Sequence, residues 1–274
     1  MPPPTANSRK VLLTSLMIGI LLVTVAVAWW LTRFRNAAMR EGAHLVDEMR
    51  RRSLSDIWPR GALQAVFVRR DGAGRETGRV TVERVATDGG FAGRVRDEPL
   101  PAFRGRLRNV REDWSIRGDL SAGQYQAAYV GENRIIGIIL AGEDVHVTVN
   151  GQPIDSVPIP ANYLPEGLMW LAVRMVADRG REATFAFVSN EESEATGTVA
   201  LNRVTMTPVG AREVRCTVAT GRGRYDVTYH LDASGEVSSV RWEEGMTLTR
   251  VEMEQPQEAP PQTLPATPAR PDGD

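Results

Sequence analysis

Cysteine and histidine, the residues that most often build metal centres and redox sites, are scarce in this chain. The 274 residues include one cysteine, Cys216, so neither an intrachain disulfide nor a cysteine-based zinc site can form. Cys216 alternates with valines in EVRCTV, which predicts a buried thiol with a raised pKa and no reactive role. The three histidines, His44, His146 and His230, show no helical i, i+4 spacing. The sequence therefore predicts no metal and no cofactor.

Arrangements typical of catalysis are missing as well. Neighbouring acids such as Glu243 and Glu244 fall in polar turns, where a carboxyl group lacks the burial that shifts its pKa. The glycine- and arginine-containing stretch at residues 221–225 has no helix after it and cannot cradle phosphate as a P-loop does. No nucleophile can be paired with a base from the sequence. We therefore predict that the protein is not an enzyme.

A strong net charge is also absent, since 33 basic residues stand against 34 acidic ones. The distribution is uneven: residues 33–112 hold 18 arginines and 11 acids, whereas residues 113–274 hold 13 arginines and 23 acids. The arginines of the basic half alternate along predicted strands without an aromatic platform, so we predict no nucleic-acid binding. Two interpretations of this half stay open, a solvated strand face and a surface held near anionic lipid headgroups.

What the chain does contain is one long apolar run near its start. The run VLLTSLMIGILLVTVAVAWWL, from Val11 to Leu31, carries no charge, and about 20 apolar residues cross a bilayer as a helix. Its Trp29-Trp30 pair, followed by arginines, suits the membrane interface. We predict a transmembrane helix at residues 11–32 after a short tail at residues 1–10. A cleaved signal peptide is the alternative, although the run is longer than a usual signal core.

Two signals for the membrane orientation disagree. Basic residues are more numerous after the apolar run than before it, which by the positive-inside tendency favours a cytoplasmic carboxyl domain. A short basic tail before a long apolar run is, however, the ordinary layout of a signal anchor. We predict a single-pass protein of the bacterial inner membrane whose carboxyl domain lies in the periplasm.

Segments of different character flank the predicted globular region. RNAAMREGAHLVDEMRRRSLSDIW has few helix breakers, so the helix is predicted to continue as a stalk over residues 33–56. The chain ends in QPQEAPPQTLPATPARPDGD, whose prolines and lack of large apolar groups predict a disordered tail over residues 255–274.

Period-two alternation dominates the residues between stalk and tail. In DVHVTVNG, Val145, Val147 and Val149 share one face, and YDVTYHLDASGEVSSVRWEEGMTLTRVEM predicts an antiparallel meander. We predict a β-rich part over residues 57–142 and a second, half-barrel-like β domain over residues 143–254.

A second apolar stretch, VPIPANYLPEGLMWLAVRMV, interrupts the strands. Pro165 suits a first helical turn and Gly180 can end the helix, which leaves about 14 helical residues, too few to span a bilayer. Apolar side chains cover most of its circumference, which favours burial. We therefore predict a helix at residues 165–179 packed on a curved antiparallel sheet, in a mainly β (α+β) fold.

The order of these segments resembles a known group. A VNG turn is followed by VPIPANYLP, an apolar helix, ATFAFVSNE, GTVALNRV, VRCTVATG and YDVTYHLDASGEVSSVRWEEGMTLTRVE. This succession resembles the half-barrel domains of the LolA-like lipoprotein-carrier superfamily, especially its uncharacterised periplasmic members. The resemblance covers about residues 144–254. It implies a concave sheet and a helical lid that hold acyl chains or other apolar ligands between them. The anchor and the extra amino-terminal strands depart from the carriers' pattern.

Two functions from different classes follow. A membrane-anchored binding protein would hold a lipid or other apolar ligand beneath the helix, with candidate cavity walls at Tyr163, Leu168, Trp170 and Leu171. An envelope scaffold or assembly component would instead use the stalk, the basic half and the tail for contacts with other envelope proteins. In the second case the helix is plain core.

Overall fold

The computed structural model describes residues 37–52, 54–57, 63–87, 89–104 and 107–254, together with several single residues between 17 and 27. Within these ranges, α-helices occupy α1 (residues 37–52), α2 (Leu54–Ile57), α3 (Met169–Arg179) and α4 (Asn190–Thr196). Short 3-10 helices occupy Pro101–Phe103 and Glu166–Leu168. The remaining regular structure is β-strand.

The first half of the fold is an up-and-down meander of eight strands, each paired antiparallel with the next along the chain. Alternate side chains point to opposite faces, as in β7, where Val145 and Val147 are fully buried and His146 is only half-buried. The strands are β1 (Leu63–Arg70), β2 (Glu76–Thr87), β3 (Gly90–Pro99), β4 (Val110–Arg117), β5 (Ala122–Tyr129), β6 (Arg134–Ala141), β7 (Asp144–Val149) and β8 (Gln152–Pro158).

The second half is a meander of six strands that joins the first through its last strand. The strands are β9 (Ala183–Val188), β10 (Leu201–Gly210), β11 (Glu213–Thr220), β12 (Gly223–Leu231), β13 (Val237–Trp242) and β14 (Thr247–Glu254). β1 and β14 pair antiparallel, from Gln64 opposite Glu254 to Arg70 opposite Thr247. All fourteen strands therefore form one sheet, in the order β8 to β1 followed by β14 to β9.

This sheet is open and barrel-like, with β8 and β9 as its edge strands. The chain that follows β8 crosses to the other edge, where Tyr163 forms a parallel bridge with Ala186 of β9, flanked by backbone hydrogen bonds of 2.7 and 2.9 Å. Helix α4 adds a second link, because its Glu194 lies 3.1 Å from Arg134 of β6. The fold is thus mainly antiparallel β, with a few helices that bring the two edges together.

Helix α3 lies inside the barrel and builds much of the core. The chain enters it through the 3-10 helix after Pro165, and Gly180 ends it in a left-handed conformation (φ 62°), which costs glycine little. α3 packs on β10 and β11. Its side chains with at most 1% exposure are Leu171, Ala172, Val173 and Val176. The segment predicted as a helix at residues 165–179 therefore forms a 3-10 turn and an α-helix that fill one side of the interior.

Helix α1, within the segment predicted as a stalk at residues 33–56, packs against β9. A Cβ atom on Gly42 would stand 2.1 Å from the carbonyl oxygen of Thr184, so this close approach requires glycine. Arg179, at the end of α3, forms an ion pair of 3.2 Å with Glu41 of α1. The α1 side chains without exposed surface are Leu45, Val46 and Met49. Residues 37–52 therefore belong to the folded domain.

Several predicted segments lie wholly or mostly outside the described residues. The predicted transmembrane helix at residues 11–32 is described at a few positions only, and those positions, such as Met17, are helical. The tails predicted at residues 1–10 and 255–274 fall entirely outside. None of the helices formed by described residues combines the length and hydropathy of a membrane span.

The predicted β-rich parts at residues 57–142 and 143–254 share one sheet. The boundary between them falls in the turn that joins β6 to β7, and β7 pairs with β6 as its hairpin partner. The interruption between the two meanders lies later, at residues 159–182, where the chain leaves the sheet to form α3. Hairpin pairing across short turns explains why β7 and β8 belong with the preceding strands.

Candidate ligand cavity

A cavity that is partly open to solvent lies between the start of α3 and the sheet opposite. Its volume is about 350 Å³, within the range of about 300 to 1,000 Å³ typical of small-molecule sites. The walls come from β1 to β5, from β12 to β14, and from residues 166–170 of the inserted segment. The aliphatic side chains and methionine that line it are Leu63, Val80, Val82, Val95, Met169, Val240 and Leu248.

Aromatic rings complete the walls of this cavity. They belong to Trp114, Tyr125, Trp170, Tyr229 and Trp242. The ring of Trp170 is held edge-on against Phe67 of β1, with centroids 5.3 Å apart and an interplanar angle of 73°, a favoured geometry for aromatic pairs. The cavity is therefore bounded by large, fixed apolar surfaces.

Strand alternation places the lining residues of β2 on one face. Val80, Val82 and Arg84 follow at every second position and point inward, whereas Thr81 and Glu83 lie between them on the outer face. The same period in β4 turns Glu112 and Trp114 into the cavity. Two charged residues thus enter the interior because they share a face with apolar neighbours.

Two glycines make room for the indole ring of Trp114. A Cβ atom on Gly93 of β3 would stand 2.2 Å from ring atom Cζ2, and a Cβ atom on Gly167 would stand 2.5 Å from Cδ2. The backbone of the 3-10 helix therefore lies directly on the indole. This contact fixes the distance between the inserted segment and β4, and with it one end of the cavity.

Glu166, the first residue of the 3-10 helix, is an acid enclosed by protein. Its Oε1 atom has no accessible surface and no hydrogen-bond partner among the described residues. The pKa of Glu166 is raised to about 8, mainly by burial; the backbone N–H groups of Glu166 and Val188 lower it, and the nearby carboxyl of Glu112 acts in the same direction as burial. The side chain retains partial accessibility, and we assign this to the cavity that it lines. Glu166 is therefore mostly protonated at neutral pH.

A second acid, Glu112, lies beside it. The hydroxyl of Tyr125 hydrogen-bonds the Glu112 carboxyl, and burial raises the pKa of both groups. Glu166 is close enough to raise the pKa of Tyr125, and also that of Tyr163 on the chain just before the helix. We call Glu112 and Glu166 the carboxyl pair. It gives a mainly apolar cavity an acidic corner.

Arg84 is the basic side chain that lines the cavity. It is buried, and its guanidinium lies 3.0 Å from Oε1 of Glu236. Burial lowers the pKa of Arg84, and the charge of Glu236 acts in the opposite direction. Its charge is thus matched by an acid that does not belong to the carboxyl pair.

The four predicted wall residues are placed differently. Trp170 lines the cavity. Tyr163 borders a smaller adjoining space of about 10 Å³ together with Glu166 and Gly167. Leu168 and Leu171 have 0% and 1% exposure and line neither of these spaces. The helix therefore meets the cavity through its first turn, and the rest of it packs into the core.

The carboxyl pair was missing from the sequence prediction. Glu166 carried a usable signal, because it is the single acid in the apolar stretch LPEGLMW. Glu112 carried none, because it stands between Arg111 and Asp113 in a charged run that is typical of a solvated strand. Only the register of β4 turns Glu112 inward while its two neighbours stay outside.

The candidate metal ligands and the cysteine lie elsewhere. No three of the described histidine, cysteine, aspartate and glutamate side chains are grouped as a metal ion requires. His230 lies 3.6 Å from Glu213 on neighbouring strands. Cys216 is 2% exposed, and burial, with a smaller effect of Asp226, raises its pKa to about 12. This confirms the predicted buried thiol.

Comparison with known proteins adds evidence on the fold. No protein-family model matches the chain, and no curated protein does. A crystal structure of a β-barrel-like protein of the domain of unknown function DUF1849 from Brucella abortus is similar, with a TM-score of 0.50 and 10% sequence identity. The match covers 72% of this chain and 99% of that one. It supports a barrel-like fold and gives no link to the LolA-like carriers.

Proposed function

We propose that this protein binds an apolar ligand, such as the acyl chain of a lipid, in the cavity beside α3. The observation that carries the proposal is the cavity itself, about 350 Å³ with mainly aliphatic and aromatic walls. The lining atoms of an unfilled apolar pocket lack the contacts that a close-packed interior provides. A ligand with an apolar body would supply those contacts.

The resemblance to LolA-like half-barrels supports the same class of function. That resemblance implies an acyl chain held between a curved sheet and a helical lid. In this protein α3 lies against the inner side of a curved sheet, and the extra strands extend the wall around it. We propose that the ligand is held mainly by the sheet, since the helix contributes only its first turn.

We also propose that the protein acts at the bacterial inner membrane, held by a single span at residues 11–32 with the barrel in the periplasm. The uncharged run supports this, as do the described apolar residues in it, such as Met17 and Ile20 at 70% and 61% exposure. The full chain should stay in the membrane pellet after alkaline carbonate extraction. A chain with a cleavable export signal in place of residues 11–32 should be released, and release of both would contradict the anchor.

Native mass spectrometry of the full chain, held in a non-ionic amphipathic polymer, tests the ligand. We expect extra mass that extracts into organic solvent. The variant Val82→Phe, whose ring should enter the cavity, should lose that mass, and Thr81→Phe, on the outer face of the same strand, should keep it. A wild-type protein that carries no ligand and takes up no apolar probe would rule out the binding function.

A scaffold function is the second candidate, favoured by apolar side chains on the outer surface. Val130, Ile135 and Ile139, on and beside the β5–β6 hairpin, are 57%, 39% and 37% exposed. Exposed apolar side chains grouped on one hairpin are a feature of protein contact surfaces. A photo-crosslinking residue at position 139 should give one discrete adduct in cells if the scaffold function is real. The same residue at position 81 is the control, and indistinguishable patterns would argue against a scaffold.

A further inference from the structure

The carboxyl pair lacks a matching cation among the residues that the structure describes. Among the described side chains, no basic group forms an ion pair with Glu112 or Glu166, and none contributes to their pKa shifts. Of the basic groups nearby, Arg84 is paired with Glu236, and Arg69 with Asp97 at 2.5 Å. A buried acid without a partner is unfavourable. From the described residues these two acids receive one side-chain hydrogen bond, that of Tyr125 to Glu112, and hydrogen bonds from the backbone N–H groups of Glu166 and Val188 to Glu166.

The rings around the carboxyl pair have the chemistry that complements an organic cation. Trp114 and Tyr125 lie on the neighbouring strands that carry Glu112 and its hydrogen bond, and Trp170 follows Glu166 along the inserted segment. The faces of aromatic rings attract cations, above all those of tryptophan, and aromatic cages recognise quaternary ammonium groups. The aliphatic walls beyond them suit an alkyl chain.

We propose that the ligand of this cavity carries an ammonium group, which the carboxyl pair and the surrounding rings bind while its apolar body fills the aliphatic part. This inference rests on the proposed function, since it requires that the cavity takes a ligand. A bare metal ion fits less well, because the described residues offer no group of three metal-binding side chains. An anionic ligand would face the two acids directly.

Binding of a cation should be coupled to loss of a proton from Glu166. The titratable groups that face it are Glu112 on β4, Tyr125 on β5 and Tyr163 on the preceding chain. Without ligand, burial holds the pKa of Glu166 at about 8. An ammonium group favours the ionised carboxylate, so affinity should rise as the pH rises from 6.5 towards 9.

Three probes with the same eight-carbon chain test the charge preference: octyltrimethylammonium, octan-1-ol and octanoate. Binding to the full chain in a non-ionic amphipathic polymer can be followed by calorimetry and by the fluorescence of the lining tryptophans. The variant Val82→Phe, whose cavity is filled, measures how much probe binds to the polymer instead of to the cavity. We expect the ammonium probe to bind about tenfold or more tightly than the alcohol, as a desolvated cation–π contact implies, and octanoate to bind weakest.

Variants separate the carboxyl pair from the rest of the cavity. Glu166→Gln should lose the preference for the ammonium probe and its pH dependence, and should still bind octan-1-ol. Glu112→Gln should lose most of the preference, and Glu98→Gln, exposed on the outer face of β3, should change nothing. Binding of octan-1-ol shows in each variant that the cavity is intact.

The possible failures are distinguishable. Equal binding of all three probes, or tightest binding of octanoate, would overturn the ammonium inference and leave the apolar binding function standing. Preference for the ammonium probe that survives in both Glu166→Gln and Glu112→Gln would also overturn it. Binding of none of the probes would overturn the proposed function itself.

Discussion

The inserted segment at residues 166–179 has two sides that are built by different rules. On one side, Leu171, Val173 and Val176 have at most 1% exposure in the core with β10 and β11. On the other, Glu166 and Trp170 face the cavity, and Oε1 of Glu166 has no hydrogen-bond partner among the described residues. Protein interiors are close-packed and their buried polar groups are hydrogen-bonded. The core side is close-packed, whereas the cavity side borders open space and holds a carboxyl oxygen without a partner among the described residues. The packed side can therefore act as a rigid support for a binding space.

Truncation should show the largest difference between the two sides. Leu171→Ala should lower the free energy of unfolding by about 2 to 5 kcal/mol, because it leaves a hole in a packed region. Trp170→Ala should lower the free energy of unfolding by less than about 3 kcal/mol, which is the lower end of the usual loss when a buried tryptophan is truncated to alanine. The loss should be small because the ring already borders the cavity. Denaturant unfolding of both variants measures this. Leu201→Ala, at an exposed site, is the control, and a larger loss for Trp170→Ala would mean that the cavity side is filled core.

The pH dependence of stability should come from the cavity side. The pKa of Glu166 is about 8 in the folded protein against 4.5 ordinarily, so between these values the folded state binds the extra proton. Stability should therefore fall as the pH rises from 4.5 to 8, by about 2 kcal/mol when water in the cavity is allowed for. Glu166→Gln should flatten this slope in thermal unfolding measured across that range. The exposed Glu98→Gln should keep it, and identical slopes in all three proteins would contradict the assignment.

Added volume should be tolerated on one side only. Val176→Phe inserts a ring into packed core and should cost about 1 to 3 kcal/mol. Val82→Phe places the same ring where the cavity can receive it, and should change the unfolding free energy by less than about 1 kcal/mol. The difference between the two melting temperatures is the measurement. Equal losses would show that the cavity is not free volume.

The smallest effect should come from the contact of the inserted segment with Trp114 of β4. Gly167→Ala would bring a Cβ atom to 2.5 Å from the indole of Trp114, which must then move. Since the cavity lies beside the ring, we expect a cost of about 1 kcal/mol together with a shifted tryptophan emission. Gly210→Ala, whose Cβ would meet its nearest atom at 3.7 Å, should leave both unchanged. An unaltered emission in Gly167→Ala would show that the indole has room without moving.

Local patterns in the sequence predicted local structure well. The alternation of Val145 and Val147, and the Pro165 and Gly180 signals around one apolar stretch, correspond to strand β7 and to the helical segment in the structure. These signals act over a few residues, so they can be read without knowledge of the rest of the chain.

Pairings between distant segments could not be predicted in the same way. Nothing in the sequence of β1 shows that its partner is β14. Nothing in the charged run at residues 111–113 shows that Glu112 faces inward beside Glu166. Both facts depend on register across the whole sheet. Burial of the carboxyl pair, and with it the raised pKa of Glu166, is therefore a property of the assembled barrel.

The pairing of β1 with β14 also has a consequence for how the barrel comes into being. Gln64 pairs with Glu254, so the seam in the middle of the sheet cannot close until β14 has been synthesised. Until then β1 is unpaired on the side that β14 will occupy, and such a strand edge is a hazard for association with other chains. Contacts between such distant residues also form slowly. A chain that stops before Thr247 would hold two half-sheets without their seam, so completion of the last strand decides whether there is a barrel at all.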